Sequence, residues 1–117
     1  MSVITATRYR ERTTEAQMRD AIGTLVTLHG GAMFFVNDSR RTPEMEHWLD
    51  LELILPHLQT VAHVELKSQR RNLTDGQRHI LALLRECHRS ESFVVRPVPR
   101  EDEIAFDDFC NWLGGGS

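Results

Sequence analysis

The chain has 117 residues, the usual size of one domain, and its 40% apolar and 26% charged composition excludes wholesale disorder or a fibrous chain. The longest apolar runs, such as Ala32 to Val36, fall far short of the roughly 20 residues of a membrane span, and residues 1 to 12 show no apolar h-region, so a cytoplasmic protein with no membrane partner is expected. The net charge of −3 argues against a nucleic-acid partner only until its distribution is read: all 14 basic residues lie at or before Arg100, where 12 acids leave that stretch at +2.

Thr14 and Gln17 are spaced as a capping box for a helix running to about His29, with Met18, Ala21, Ile22, Leu25 and Leu28 on one stripe and Gly30-Gly31 closing it. Ala32 to Asn37 is a short apolar run and predicts a strand. Asp38 to His47 has Pro43 and no periodicity, which predicts a long loop. Leu49 to Leu55 alternates, with Leu49, Leu51, Leu53 and Leu55 on one face and Asp50, Glu52 and Ile54 on the other. Pro56 to Gln59 turns the chain, and Val61 to Lys67 alternates again, sending His63, Glu65 and Lys67 to one side.

A second capping box, Thr74 and Gln77, opens a helix with Ile80, Leu81, Leu83, Leu84 and Cys87 at helical spacing, ending near Arg89. Phe93 to Arg96 predicts a strand closed by Pro97 and Pro99, and Glu101 to Leu113 an acidic helix packing through Phe109 and Trp112. Gly114 to Ser117 is expected to be a flexible tail. Cys87 and Cys110, both on predicted helices and forming no metal-like pair, are expected to be core thiols. The result is one α/β domain over 1–113. Its short first connections predict an antiparallel meander, and its crossover helix a fourth strand parallel to the third.

Chemistry concentrates on two neighbouring strands. Asp50 on one and Glu65 on the next present carboxylates, and Lys67 lies two residues on, on the side of Glu65. Mg²⁺ is commonly held by one or two carboxylates with water and substrate phosphate, and an adjacent ammonium can stabilise charge on a phosphate. The bland reading is a solvated strand face with Lys67 paired across strands to Asp50 or Glu52. Lys67 is the only lysine beside 13 arginines. It opens a basic stretch with Arg70, Arg71, Arg78, Arg85 and Arg89, which is either a phosphate-facing surface or a solvated helix face. Trp48 is a base-stacking residue or a loop plug, and His47 and His63 lie near the site as polar fillers.

Val64-Glu65-Leu66-Lys67, followed by Arg70-Arg71-Asn72-Leu73-Thr74, Gln77 and Val94-Val95-Arg96-Pro97, resembles the VRR-NUC branch of the PD-(D/E)xK nucleases over residues 13 to 98. That resemblance implies an αβββαβ core with a mixed four-stranded sheet flanked by helices, to which the last helix is an addition. It also implies a divalent-metal-dependent DNA endonuclease of phage or bacterial type, acting on branched DNA such as Holliday junctions. Asp50 and Glu65 would bind Mg²⁺ or Mn²⁺, Leu66 would lend a backbone carbonyl, and Lys67 would be the catalytic lysine. Glu15 matches the acidic position of the first helix and Gln77 the glutamine of the second. Arg70, Arg71 and Arg78 would meet DNA phosphates. Cutting two strands with one small domain is simplest as a homodimer, with the acidic last helix a candidate interface. The family's usual Gly-x-Pro before the aspartate is here His47-Trp48-Leu49, so the turn is built differently and Glu52 is the substitute for Asp50. The alternative function is a catalytically inactive module of the same fold that binds nucleic acid or protein.

Overall fold

Both capping boxes form as their spacing predicts. The Thr14 and Thr74 hydroxyls accept from the Gln17 and Gln77 amides, and each glutamine side chain accepts from its threonine amide in return. The computed structural model describes residues 11–36, 46–87 and 89–116. In it, α1 (Glu15–Leu28) leads into β1 (Ala32–Phe35), β2 (Leu51–Leu55), a 3₁₀ turn (Pro56–Leu58) and β3 (Thr60–Leu66). Then come α2 (Asp75–Arg85), β4 (Glu91–Arg96), β5 (Ile104–Ala105) and α3 (Phe106–Leu113).

The strands form one sheet in the order β1-β2-β3-β4-β5. The first three are antiparallel, β4 runs parallel to β3, and β5 runs parallel to β4. On one face Met18, Ile22 and Val26 of α1 and Phe109 and Leu113 of α3 bury Leu51, Leu53, Leu55, Ala62, Val64, Leu66 and Val95. On the other, Leu81 of α2 packs with Leu49 and Val94. Each side chain so buried contributes about 1.5–3 kcal/mol, so the larger cluster is where most of the stability resides.

Several expectations change. The sheet has five strands, because after Pro97 and Pro99 the chain turns at Asp102, whose φ is +62°, and lays Ile104 and Ala105 beside Val95 and Arg96. The last helix therefore starts at Phe106 rather than Glu101, with Asp107 and Asp108 in its first turn. β1 ends at Phe35, and Asn37, like most of the expected loop over 38–47, lies outside the described residues. The 37–45 segment, His88 near the expected end of the second helix, and Ser117 are all in that class. β2 begins at Leu51. The bend at Asp50 breaks the alternation, so Leu49 packs on the opposite face from Leu51 instead of sharing it. Cys87 is exposed and Cys110 only partly buried, so neither is a core thiol. The Gly114, Gly115 and Gly116 amides donate to Cys110, Trp112 and Asn111 carbonyls and close α3. No helix among the described residues is long and apolar enough to cross a membrane.

Candidate active site

The β2–β3 ladder stops at the Leu51–Val64 pair. Side chains carry it one step further: the Asp50 amide donates to Glu65 Oε1 at 3.2 Å, and the Leu66 amide donates to Asp50 Oδ2 at 3.1 Å. This reciprocal pair exists because the bend at Asp50 withdraws its backbone from the ladder and turns its carboxylate toward β3. Two acids 15 positions apart are thereby fixed side by side at the end of two strands.

Glu65 is 1% exposed. Its Oε2 accepts from Gln77 Nε2 at 3.1 Å and lies 3.0 Å from Lys67 Nζ, whose side chain is equally buried. Burial and then the Asp50 charge push the Glu65 carboxyl up to about 7, although Lys67 pulls the other way. Asp50 is raised as well, chiefly by burial, with the Leu66 amide, Glu65 and Lys67 opposing. The two acids therefore titrate as a pair that holds a proton more tightly than isolated carboxylates do. Buried ion pairs of this kind are poor sources of stability, and perturbed carboxylates beside a cleft are a mark of chemistry.

A cleft of about 300 Å³ opens beside the pair, lined by Asp50, Leu51, Leu66, Glu15, Arg19, Phe35 and Val36. Glu15 also lines a neighbouring cleft of about 440 Å³ with Arg12, Thr14, Gln69 and Arg70. Arg71 Nη1 reaches both Glu15 oxygens, at 2.9 and 3.0 Å. The hydrogen bond and charge of Glu15 raise the Arg71 guanidinium further above its ordinary value, and Asp50 and Glu65 add to this at longer range.

Asp50, Glu65, Leu66, Lys67 and Gln77 thus converge, with Glu15 and its partner Arg71 at the rim and Arg70 on the neighbouring cleft. Arg78 does not join them; it bonds Asp75 at 3.2 Å on the solvent side of α2. The substitute acid Glu52 is engaged elsewhere: Oε1 accepts from Trp48 Nε1 at 2.7 Å and Oε2 lies 2.6 Å from His63 Nδ1. The Trp48 and His63 rings also meet nearly at right angles, with centroids 5.9 Å apart. The turn that stands where Gly-x-Pro was expected is pinned by His47, whose imidazole lies where a Cβ on Gly76 would be, so only glycine fits at the start of α2.

Three residues escape sequence reasoning. Arg19 sits on the cleft wall with its guanidinium 5.3 Å from the Phe35 ring centroid. Arg96 and Glu103 form a buried pair, 2.6 and 2.9 Å, through which Arg96 also donates to the Ser68, Gln69 and Arg71 carbonyls. The Val-Val-Arg-Pro run was the available signal for Arg96, but nothing in its spacing points to the 68–71 loop.

Among the described residues no three His, Cys, Asp or Glu side chains are placed to hold a metal ion together. The donors that do meet, the buried Glu65 carboxylate and the half-buried Asp50 carboxylate, whose mutual repulsion a cation would relieve, suit an ion such as Mg²⁺ that takes one or two carboxylates and completes its shell with water and phosphate. No family model, no curated protein and no solved structure matches the chain.

Proposed function

We propose that the protein is a divalent-metal-dependent DNA endonuclease of the PD-(D/E)xK type. The observation that carries this reading is the constellation of buried Glu65 and Lys67 with half-buried Asp50 at the end of β2 and β3, beside a cleft whose wall carries Asp50, Glu15 and Arg19. Asp50, Glu65 and the Leu66 carbonyl would hold Mg²⁺ or Mn²⁺. Such an ion supplies Lewis-acid activation of a water and neutralises charge on the phosphodiester. Lys67 keeps an ammonium within 3.0 Å of Glu65, from which it can turn to the charge developing on phosphate. Gln77 fixes the Glu65 rotamer by its 3.1 Å bond. Arg70 and Arg71 would neutralise backbone phosphates, as would Arg78 from the outer face of α2. Branched DNA, a cytoplasmic setting in a bacterium or phage-infected cell, and a homodimer belong to the same proposal. α3 spends Phe109 and Leu113 on its own core, so a dimer interface there would use its acidic side.

The test is single-turnover cleavage of four-way junction, single-stranded and duplex DNA with Mg²⁺ or Mn²⁺. Lys67→Met should lower the rate by about 10²-fold or more while DNA affinity stays within a few fold. Undiminished cleavage by that variant, or by wild type in EDTA, would overturn the mechanism. The second reading, a binding module without hydrolysis, draws on the 2% exposure of Lys67. It predicts salt-dependent DNA binding with no cleavage of any substrate.

A further inference from the structure

Arg71 engages Glu15 in an unusual way. A single nitrogen, Nη1, sits astride the carboxylate at 2.9 and 3.0 Å from its two oxygens, rather than two nitrogens pairing with one oxygen each. That is the place on a carboxylate that a chelated cation takes. The rest of the guanidinium is turned outward, and the side chain is 63% exposed. Its root is fixed, because the Arg71 carbonyl accepts from buried Arg96 and its amide donates to Ser68 at 3.2 Å. Glu15 in turn lines both clefts, one of them shared with Asp50 and the other with Arg70.

We infer that Arg71 is a stand-in cation on Glu15, held there while the site is without metal or substrate and released to a nucleic-acid phosphate when that carboxylate is neutralised or taken by a divalent ion. Exposed ion pairs are worth at most about 1 kcal/mol, so the exchange costs little and the fixed loop returns the side chain to the same place. The consequence is linkage: whatever occupies Glu15 tightens the grip on nucleic acid, and nucleic acid favours occupation of Glu15 by the same factor. The inference rests on the nuclease-type reading above.

The test needs no catalysis. Binding of a labelled four-way junction is titrated against salt in EDTA for wild type, Arg71→Ala, Arg70→Ala, Glu15→Gln and the Glu15→Gln/Arg71→Ala double variant, each checked for an intact melting transition. Arg71→Ala should match wild type within about twofold, whereas Arg70→Ala should weaken binding. Glu15→Gln should tighten binding by about two- to fivefold and steepen the salt slope by roughly one phosphate contact, and the double variant should lose that gain. In a DNA-free arm, Mn²⁺ binding followed by electron paramagnetic resonance should tighten more in Arg71→Ala than in Arg70→Ala. Arg71→Ala weakening DNA binding as much as Arg70→Ala, a Glu15→Gln gain that survives in the double variant, or equal Mn²⁺ shifts for the two arginines would each overturn the exchange while leaving the nuclease reading standing. No binding of DNA or Mn²⁺ by wild type would remove that reading and the exchange with it.

Discussion

At the level of single residues, Glu65 works against the fold that contains it. Its carboxyl titrates near 7 in the folded protein against about 4.5 when unfolded, so the folded state binds the proton more tightly. A raised pKa gives stability that is complete below about pH 4.5 and lost as pH rises through 7. The metal-free protein should therefore weaken by on the order of 3 kcal/mol between those values, shared with the coupled Asp50, and Glu65→Gln should flatten most of that slope. Urea denaturation at pH 5, 6, 7 and 8 reads it directly; a wild-type curve that is flat or rises over this range would contradict the raised pair. Lys67 does not alter the sign, since its charge and hydrogen bond, which lower Glu65, rank behind burial and the Asp50 charge.

Among the elements, α2 shows how one side chain can answer two questions that its sequence posed as alternatives. Gln77 caps the helix through Oε1, 3.1 Å from the Thr74 amide, and orients Glu65 through Nε2. Gln77→Glu keeps an ideal capping-box residue but points a carboxylate at Glu65. It should cost about 2 kcal/mol or more at pH 8 and much less at pH 5, whereas the cost of Gln77→Ala should depend less on pH. The 68–71 loop depends on a second element pair. Arg96→Met strands Glu103 and three carbonyls and should cost about 3–5 kcal/mol, of which an Arg96→Met/Glu103→Leu double variant should recover the part due to the unpaired carboxylate but not the part due to the carbonyls. Glu103 is opposed by burial, yet the Arg96 and Arg100 bonds and charges hold it below the ordinary carboxylate range. Its stabilisation is thus present above about pH 4.5 and lost as pH falls, the reverse of Glu65. The first two helices and the meander were legible because capping boxes and alternation are local signals; α3 has no side-chain cap to mark its start. β5 was not, since two residues carry no periodicity and the acids before them imitate a helix start. The site was legible as residue types and strand neighbours, but the bend that turns Asp50 toward Glu65, and the Arg96 clamp, depend on contacts between distant segments.

For the molecule as a whole, a divalent cation at the carboxylate pair would act on stability by mass action. Mn²⁺ at a hundredfold excess over its Kd should add about 2.7 kcal/mol, a rise in Tm of roughly 10 °C for a domain this size, and Asp50→Asn should abolish most of it. Calorimetry with and without EDTA is the measurement, and an equal rise in the variant would place the ion elsewhere. The packing of α3 on α1 has a further effect, on the order of events in synthesis. Met18, Ile22 and Val26 share one cluster with the inner face of the sheet and with Phe109 and Leu113, so the largest apolar cluster joins the two ends of the described chain. Contacts between segments so far apart in the chain form late, because loop-closure entropy opposes them. The same layout also means that a nascent chain ending near residue 100 carries α1, the meander and α2 but lacks Phe109 and Leu113, which complete the cluster around α1. A stalled chain released there should be captured by chaperones and digested rapidly by protease, and resistance should appear in one step once Leu113 clears the exit tunnel.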